Sequence, residues 1–134
     1  MNKVMLIGNV GKEPEIHYYD ADQCVASFPL ATREKGYVLP NGTQVPDQTD
    51  WHNIVLFKNL AKYAERYIHK GDKIYIEGRI RYRNVDDKKG MRRQITEVYA
   101  ENLEWLAASR RHEESKVSEG ENEKPASDDS NIPF

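Results

Sequence analysis

The sequence has little cysteine, no long apolar run and no excess of positive charge. Cys24 is the only cysteine among 134 residues, so neither an internal disulfide nor a cysteine-based zinc site can form. No apolar stretch approaches the roughly 20 residues that a membrane-spanning helix needs, and the N-terminal apolar stretch is too short for a secretory signal. These absences predict a cytoplasmic chain of one domain, with a modest core and no membrane contact.

The net charge of −2 provides no surplus of cations for an acidic partner, but the charges are unevenly distributed. Residues 107–134 contain four Lys or Arg and seven Asp or Glu, whereas residues 1–106 contain 16 and 15. A nearly neutral domain can still bind a polyanion when its cations cluster on one face. The distribution of charge therefore matters more than its sum.

The composition changes near residue 107 and divides the chain into a domain, a linker and a tip. Residues 107–127 have almost no apolar side chain, so they bury too little surface to offset the entropy of ordering and predict a disordered linker. In the tip, residues 128–134, acidic side chains precede an apolar end. A lone phenylalanine at the end of such a tail favours a partner-binding role. The tip residues assigned to this role are Asp128, Asp129, Ile132, Pro133 and Phe134.

Apolar alternation within residues 1–106 predicts an all-β domain, a five-stranded OB-fold barrel with one helix between strands three and four. The first strand is apolar at nearly every position, which is typical of a strand covered on both faces and favours a second subunit over its outer side. A loop of about fifteen residues precedes the third strand, and loops this long are usually functional. The predicted strands cover residues 3–10, 23–33, 49–57, 72–83 and 91–105, the loop 34–48, and the helix 60–70, capped by Asn59.

Basic side chains alternate along the fourth predicted strand and continue across the turn that follows it. Arg79, Arg81 and Arg83 share one face, and no carboxylate of the strand lies between them on that face. Such a row can follow a phosphate backbone, although a charge run is more often a solvated edge. The candidate phosphate contacts are Arg79, Arg81, Arg83, Lys88, Lys89, Arg92, Arg93, Lys3 and Arg33.

Exposed aromatic rings are the second requirement for binding single strands without regard to sequence, because bases stack on them. Trp51 and Phe57 lie six residues apart on the third predicted strand and therefore share a face. Tyr37 lies in the long loop and Tyr82 in the basic hairpin. Strand aromatics are more often core than stacking surfaces. Tyr82 lies an even number of residues from Ile80 and therefore shares its side of the strand. For Tyr82 a core position and a base-stacking position are about equally compatible with the sequence.

Three segments of the chain resemble bacterial single-stranded DNA-binding proteins: NKVMLIGNVGKEPE (2–15), TDWHNIVLF (49–57) and KGDKIYIEG (70–78). The resemblance covers residues 1–105 in order and returns at the extreme C terminus. It implies a homotetramer of barrels with single-stranded DNA wrapped around it, in a cytoplasmic, nucleoid-associated setting. It also implies that the tail tip recruits replication, repair and recombination proteins.

The resemblance implies roles for individual residues. Trp51 and Phe57 match base-stacking positions, and Tyr37 approximates a stacking tryptophan of the loop. His52 matches a histidine that supports subunit contacts, and the double-faced first strand adds Met5 and Ile7 to that interface.

Two departures from the family pattern concern the hairpin and the tip. Val85 stands where relatives often have a stacking aromatic, for which Tyr82, three residues earlier, is a candidate substitute. Ser130 and Asn131 separate the acidic side chains of the tip from its apolar end. A smaller or weaker DNA site and a weaker partner contact are the corresponding expectations.

Other hypotheses remain open beside a DNA-binding coat. The barrel could be a scaffold for a protein-interaction adaptor, a dimeric primosome-type OB-fold, or a small nuclease. The acidic, Phe-terminated tail argues against the primosome type. The four histidines lack metal-ligand spacing, and no nucleophile, base and orienting group can be assembled. We therefore expect no catalysis, metal or cofactor.

Overall fold

The computed structural model describes residues 1–109 of the chain. Within these residues it contains β1 (Val4–Val10), β2 (Glu15–Asp20), β3 (Gln23–Glu34), β4 (Tyr37–Val38), β5 (Gln44–Val45), β6 (Gln48–Phe57), α1 (Lys58–Tyr67), β7 (Lys73–Asp86) and β8 (Arg92–Ala107). The predicted tip and all but the first three residues of the predicted linker lie outside the described residues.

Five of the strands close into a barrel in the order β1-β7-β8-β6-β3, with β3 returning to β1. Only the β6–β8 pair is parallel among these neighbours. The closing contact is short, with Asn9 opposite Ala31 and Val10 opposite Leu30. The helix connects β6 to β7, which are the third and fourth barrel strands in chain order. This is the arrangement of an oligonucleotide-binding barrel, so the predicted fold class is confirmed.

Alternation along the strands fills the barrel with apolar side chains, and α1 covers one end of it. Because alternate residues of a strand point to opposite faces, each inward residue leaves its neighbours on the outside. The outer faces of β6, β7 and β8 are therefore available for other contacts. The core residues include Ala26, Phe28, Leu30, Ile54, Leu56, Ala61, Ala64, Ile68, Ile74, Ile76, Val98, Ala100 and Leu103.

Strand β2, which the sequence patterns did not predict, lies outside the closed ring. It pairs antiparallel with β3, from Glu15 opposite Ser27 to Asp20 opposite Gln23. Most of its side chains are exposed, so the period-two apolar signal of a half-buried strand is missing. The loop predicted at residues 34–48 also contains structure, because β4 and β5 pair within it as a small hairpin.

The ends of the helix differ from the prediction. It begins at Lys58, and the N-cap is Phe57, which makes no side-chain capping hydrogen bond, so Asn59 does not cap it. It ends at Tyr67 rather than at residue 70. Gly71 is not the helix terminator, because the C-cap is Ile68 in an extended conformation. Gly71 lies in the turn before β7, in the left-handed region with φ +92°, which glycine adopts without strain.

A buried carboxylate ties the end of β8 to the start of β7. Asp72 is fully buried and accepts hydrogen bonds from the backbone N–H of His69, the indole N–H of Trp105 and the backbone N–H of Ser109, at 2.9, 3.2 and 3.0 Å. These donors offset the cost of burying the carboxylate. The hydrogen-bonded structure thus continues three residues past the boundary predicted at residue 106.

Candidate nucleic-acid interface

The outer face of β6 carries the two aromatic rings that the sequence singled out. Ile54 and Leu56 are fully buried, so the alternating residues Trp51 and Phe57 point outward. The exposed fraction is 61% for Trp51 and 40% for Phe57. Both rings therefore present faces to solvent on one side of the barrel, six residues apart.

Trp51 lies directly against the backbone of Gly11. A Cβ atom on Gly11 would stand 2.4 Å from Cζ3 of the Trp51 ring, much closer than atoms can approach. The N–H of Gly11 donates to the carbonyl oxygen of Pro29 at 2.8 Å, which fixes this segment under the ring. Glycine at this position thus allows Trp51 to lie flat against the chain after β1.

At the other end of β6, Phe57 belongs to a cluster with Tyr99 and Arg81. The Phe57 and Tyr99 rings meet edge to face with centroids 5.1 Å apart. The Arg81 guanidinium lies 5.7 Å from the centroid of the Tyr99 ring. Sequence reasoning missed Tyr99, because its place beside Phe57 depends on the parallel pairing of Val55 with Tyr99. The burial of Val98 and Ala100 on either side was the available signal that Tyr99 faces outward.

The arginine row on β7 is compensated by carboxylates of the neighbouring strand β8. Arg83 donates from Nε and Nη2 to the two carboxylate oxygens of Glu97, at 3.0 and 3.2 Å. This hydrogen bonding raises the pKa of Arg83. Arg79 pairs more loosely with Glu101, at 3.6 Å. As predicted, β7 itself contributes no carboxylate to this face between Arg79 and Arg83. The neighbouring strand β8, however, contributes Glu97 and Glu101.

Two other predicted phosphate contacts are also paired with carboxylates. Lys3 forms an ion pair with Glu77 on β7. Arg33 pairs with Asp47 at 2.9 Å. It lies on β3, two residues after Ala31, which is opposite Trp51. The N–H of Gly36 and the Arg33 guanidinium lower the pKa of Asp47.

The remaining cations surround the β7–β8 turn. Lys88, Lys89, Arg92 and Arg93 are all exposed there. They extend the basic character of the arginine face toward the tip of the hairpin. Val85 shares the arginine face and lies opposite Arg93, so no ring occupies this part of the hairpin.

The structure does not bring Tyr82 or Tyr37 together with the rings of β6. Tyr82 is exposed, but it alternates with Arg81 and Arg83 and lies opposite Thr96, on the other face of β7. It is therefore not positioned to replace an aromatic at Val85. Tyr37 is exposed on the β4–β5 hairpin, opposite Val45.

A groove of about 390 Å³ crosses the face between the two ends of β6. Strands β3 and β6 form its floor, β2 one wall and β8 the other. Its lining mixes charged, amide, hydroxyl and apolar groups. The residues that define these walls are Lys12, Glu15, Ser27, Asn53, Ile95 and Glu97.

The β2 wall carries a second ring that the sequence did not reveal. Tyr18 points toward α1 and donates a hydrogen bond to Glu65, which raises the pKa of Tyr18 to about 12. The β2–β3 register shifts between Tyr18 and Asp20, and Tyr19 is the extra residue there. Its hydroxyl is close enough to Arg83 to contribute, after Glu97, to the raised pKa of that arginine. Tyr19 is 74% exposed. It was missed because β2 itself was not predicted.

The predicted subunit-contact residues lie in two places. Met5 and Ile7 are exposed on the outer face of β1, opposite Glu77 and Tyr75 of β7. His52 instead has the parity of the core residues of β6 and is half-buried, with Nε2 2.8 Å from Oγ1 of Thr32.

Among residues 1–109, no three or more His, Cys, Asp or Glu side chains come together in a group that could hold a metal ion. No helix in this range is long and apolar enough to cross a bilayer.

The five-stranded barrel, closed by the β1–β3 pairing and with α1 between β6 and β7, defines an OB-fold protein. The model of the single-strand binding protein family matches residues 1–106, and the chain belongs to this family. The single-stranded DNA-binding protein of Bacteroides thetaiotaomicron is 52% identical over 107 residues, which are 80% of this chain and 66% of that protein. This chain thus spans just under two thirds of that relative's length.

A solved structure gives the second comparison. The Plasmodium falciparum SSB in complex with ssDNA superposes with a TM-score of 0.70 at 35% sequence identity. The match covers 79% of this chain and 95% of the other.

Proposed function

We propose that this protein binds single-stranded DNA without strong sequence preference, along the groove on the outer face of β6. The observation that carries the proposal is the exposure of Trp51 and Phe57 on the outer face of β6, on either side of the groove-lining residues 53–55. Rings on an outer strand face offer stacking surfaces to any base. The DNA-bound Plasmodium relative and the name of the Bacteroides relative support the same ligand.

The aromatic residues stack on bases, and the cations contact phosphates. Trp51 and Phe57 each contribute about 1–3 kcal/mol, the usual range for base–aromatic stacking. Arg81, which stacks on Tyr99, extends the surface beside Phe57. Tyr19 is placed to supply a ring near Arg83, in the region of the hairpin where Val85 supplies none. The cations at the β7–β8 turn attract the DNA strand; they are Lys88, Lys89, Arg92 and Arg93. Five further residues remain candidate contacts outside the groove: Tyr37, Tyr82, Arg79, Arg33 and Lys3.

The assembly is a homotetramer of barrels. The support for subunit association is that Met5 and Ile7 are exposed to solvent in the single chain. They belong to a strand that is apolar at nearly every position, which is typical of a strand covered on both faces. His52 would assist by holding the end of β3 through Thr32. A wrapped strand would then pass from one barrel to the next.

The biological role is to protect unpaired DNA during replication, recombination and repair, in the cytoplasm and without catalysis. The C-terminal tip recruits partner proteins of those processes, with Phe134 in an apolar pocket and Asp128 and Asp129 against basic residues. The support for this part is the sequence of the tip alone.

A titration of labelled poly-dT and of matched duplex at several salt concentrations tests the proposal. We expect tight binding to dT and weak binding to duplex. The slope of log K against log salt should lie near −0.7 for each phosphate contacted. Equal affinity for both forms, or none for either, would contradict it. The stoichiometry gives the number of nucleotides per protomer.

A further inference from the structure

We propose that Glu97 is a built-in counter-ion that weakens the hold of the DNA-binding face on phosphate by neutralising Arg83. This inference deepens the proposed function and rests on it. It concerns the strength of binding and its dependence on salt, whereas the proposed function concerns which nucleic acid is bound.

The Arg83–Glu97 contact is a two-point ion pair at the edge of the groove. Both carboxylate oxygens accept hydrogen bonds from Arg83, at 3.0 and 3.2 Å, in a fork that fixes the guanidinium plane. The Glu97 residue is only 8% exposed, whereas the Arg83 side chain is 54% exposed. The carboxylate therefore sits beneath an arginine that solvent, or a DNA strand, can reach.

The position of Glu97 gives its charge a direct effect on a bound strand. Glu97 lines the groove together with Asn53 and Ser27, so a strand in the groove passes over it. A carboxylate in a groove for a polyanion repels the ligand, unless it has another task that outweighs the repulsion. The task visible here is to hold Arg83.

Glu97 has two distinct effects on Arg83: it orients the guanidinium and it cancels the positive charge. A guanidinium has five N–H donors, and Glu97 occupies one on Nε and one on Nη2. The remaining donors stay available to a phosphate, so Arg83 can still form hydrogen bonds to DNA. The net charge of the pair, however, is zero. Arg83 then adds little to the long-range attraction that makes binding sensitive to salt.

The substitution Glu97→Gln isolates the charge because it preserves the side chain's length and leaves one oxygen to accept a hydrogen bond from Arg83. A unit charge about 6 Å from a phosphate, at an effective dielectric constant between about 40 and 80, changes affinity roughly threefold to tenfold. We therefore expect E97Q to bind dT about threefold to tenfold more tightly. Its salt slope should steepen by up to about 0.7, the equivalent of one more phosphate contact.

The matched control is Glu104→Gln. Glu104 lies on the same strand, β8, and faces Tyr75 of β7, away from the groove. Both substitutions raise the net charge by one, so a general charge effect would appear equally in both. We expect E104Q to bind dT within about twofold of the wild type, because screening by salt weakens a charge so far from the strand.

The experiment measures fluorescence anisotropy of labelled dT with the full chain, for the wild type and both variants, across a series of salt concentrations. Tighter binding and a steeper slope for E97Q than for E104Q support the inference. Unchanged or weaker binding of E97Q overturns it, and so does an equal gain for E104Q. When the wild type binds dT and E97Q gains nothing, the inference fails alone. A wild type that does not bind dT overturns both proposals.

A second pair of variants tests the inference through Arg83, and R83Q does so without altering Glu97. Arg83→Gln removes the cation and leaves the Glu97 carboxylate unpaired in the groove. We expect it to bind dT at least about tenfold more weakly, because repulsion from Glu97 is added to the loss of the arginine. The double variant R83Q/E97Q should recover most of that loss. A double variant that binds no better than R83Q would overturn the inference.

Discussion

Two outer faces of the same barrel expose apolar side chains, and they differ in what surrounds those side chains. On β6, Trp51 and Phe57 lie beside a groove lined by Lys12 and by Glu97, and Glu97 is paired with Arg83. On β1, Met5 and Ile7 are 65% and 54% exposed, beside tyrosine and glutamate side chains of β7. One face combines flat rings with cations, and the other presents flexible or branched aliphatic groups.

The difference shows how one alternating pattern produces two kinds of surface. Flat rings accept any base and need cations nearby to hold the phosphates. Aliphatic side chains gain most from being covered by another apolar surface. We therefore propose DNA as the ligand of the β6 face and a second copy of the chain as the partner of the β1 face. Each assignment predicts that a substitution on one face leaves the function of the other intact.

The largest expected effect comes from removing both rings of the β6 face. Trp51→Ala and Phe57→Ala together should weaken binding to dT by about 2–6 kcal/mol, at least about thirtyfold, because each stacked ring contributes about 1–3 kcal/mol. Anisotropy of labelled dT measures the loss, and light scattering should show an unchanged mass. Tyr67→Ala, which removes an exposed ring on α1, is the matched control and should bind as the wild type does. Wild-type affinity of the double variant would show that the DNA lies elsewhere.

Two variants, each adding one negative charge to one face, distinguish the functions of the two faces. Ile7→Asp should weaken subunit association by roughly 3 kcal/mol, or about a hundredfold, because it places an uncompensated charge in the covered face. Light scattering would then report a smaller mass at low concentration. Tyr19→Asp adds the same charge on the groove side and should weaken dT binding while the mass stays unchanged. The comparison breaks down if Ile7→Asp keeps the wild-type mass or if Tyr19→Asp dissociates the assembly.

Alternation within single strands was enough to predict the barrel and much of its outer face. The burial of Ile54 and Leu56 fixes the outward direction of Trp51 and Phe57, and both facts follow from residue order alone. The same rule places Tyr82 with Ile80, away from the arginines. Tyr82 is nevertheless 59% exposed, so its role as a base contact stays a prediction.

Contacts between strands were beyond the reach of sequence patterns. The pairing of Arg83 with Glu97 depends on the β7–β8 register, which shifts between Glu77 and Gly78. Tyr99 reaches Phe57 only because β6 and β8 lie side by side in parallel, although 42 residues separate them in sequence. The first contact depends on hairpin register and the second on the arrangement of strands in the barrel, and no local propensity encodes either.

The smallest predicted effect tests whether the β6 face is shaped in advance for its ligand. Gly11→Ala places a methyl group 2.4 Å from Cζ3 of Trp51, so the ring must move. Because the ring is a side chain at the surface, it can tilt away without unfolding the barrel, and stability should fall by no more than about 1 kcal/mol. A tilted ring stacks less well, so we expect dT binding to weaken about threefold to tenfold, a part of the stacking energy of one base.

The control for Gly11→Ala is the same substitution made where the ring is already absent. In a Trp51→Ala background the added methyl group has no ring to displace, so Gly11→Ala should cause almost no further loss of affinity. A double-mutant cycle on anisotropy data measures this coupling. Additive losses would mean that Gly11 acts through the backbone of β1 and not through Trp51. Coupled losses would mean that the chain after β1 fixes the orientation of a base-stacking ring before DNA arrives, which reduces the ordering cost of binding.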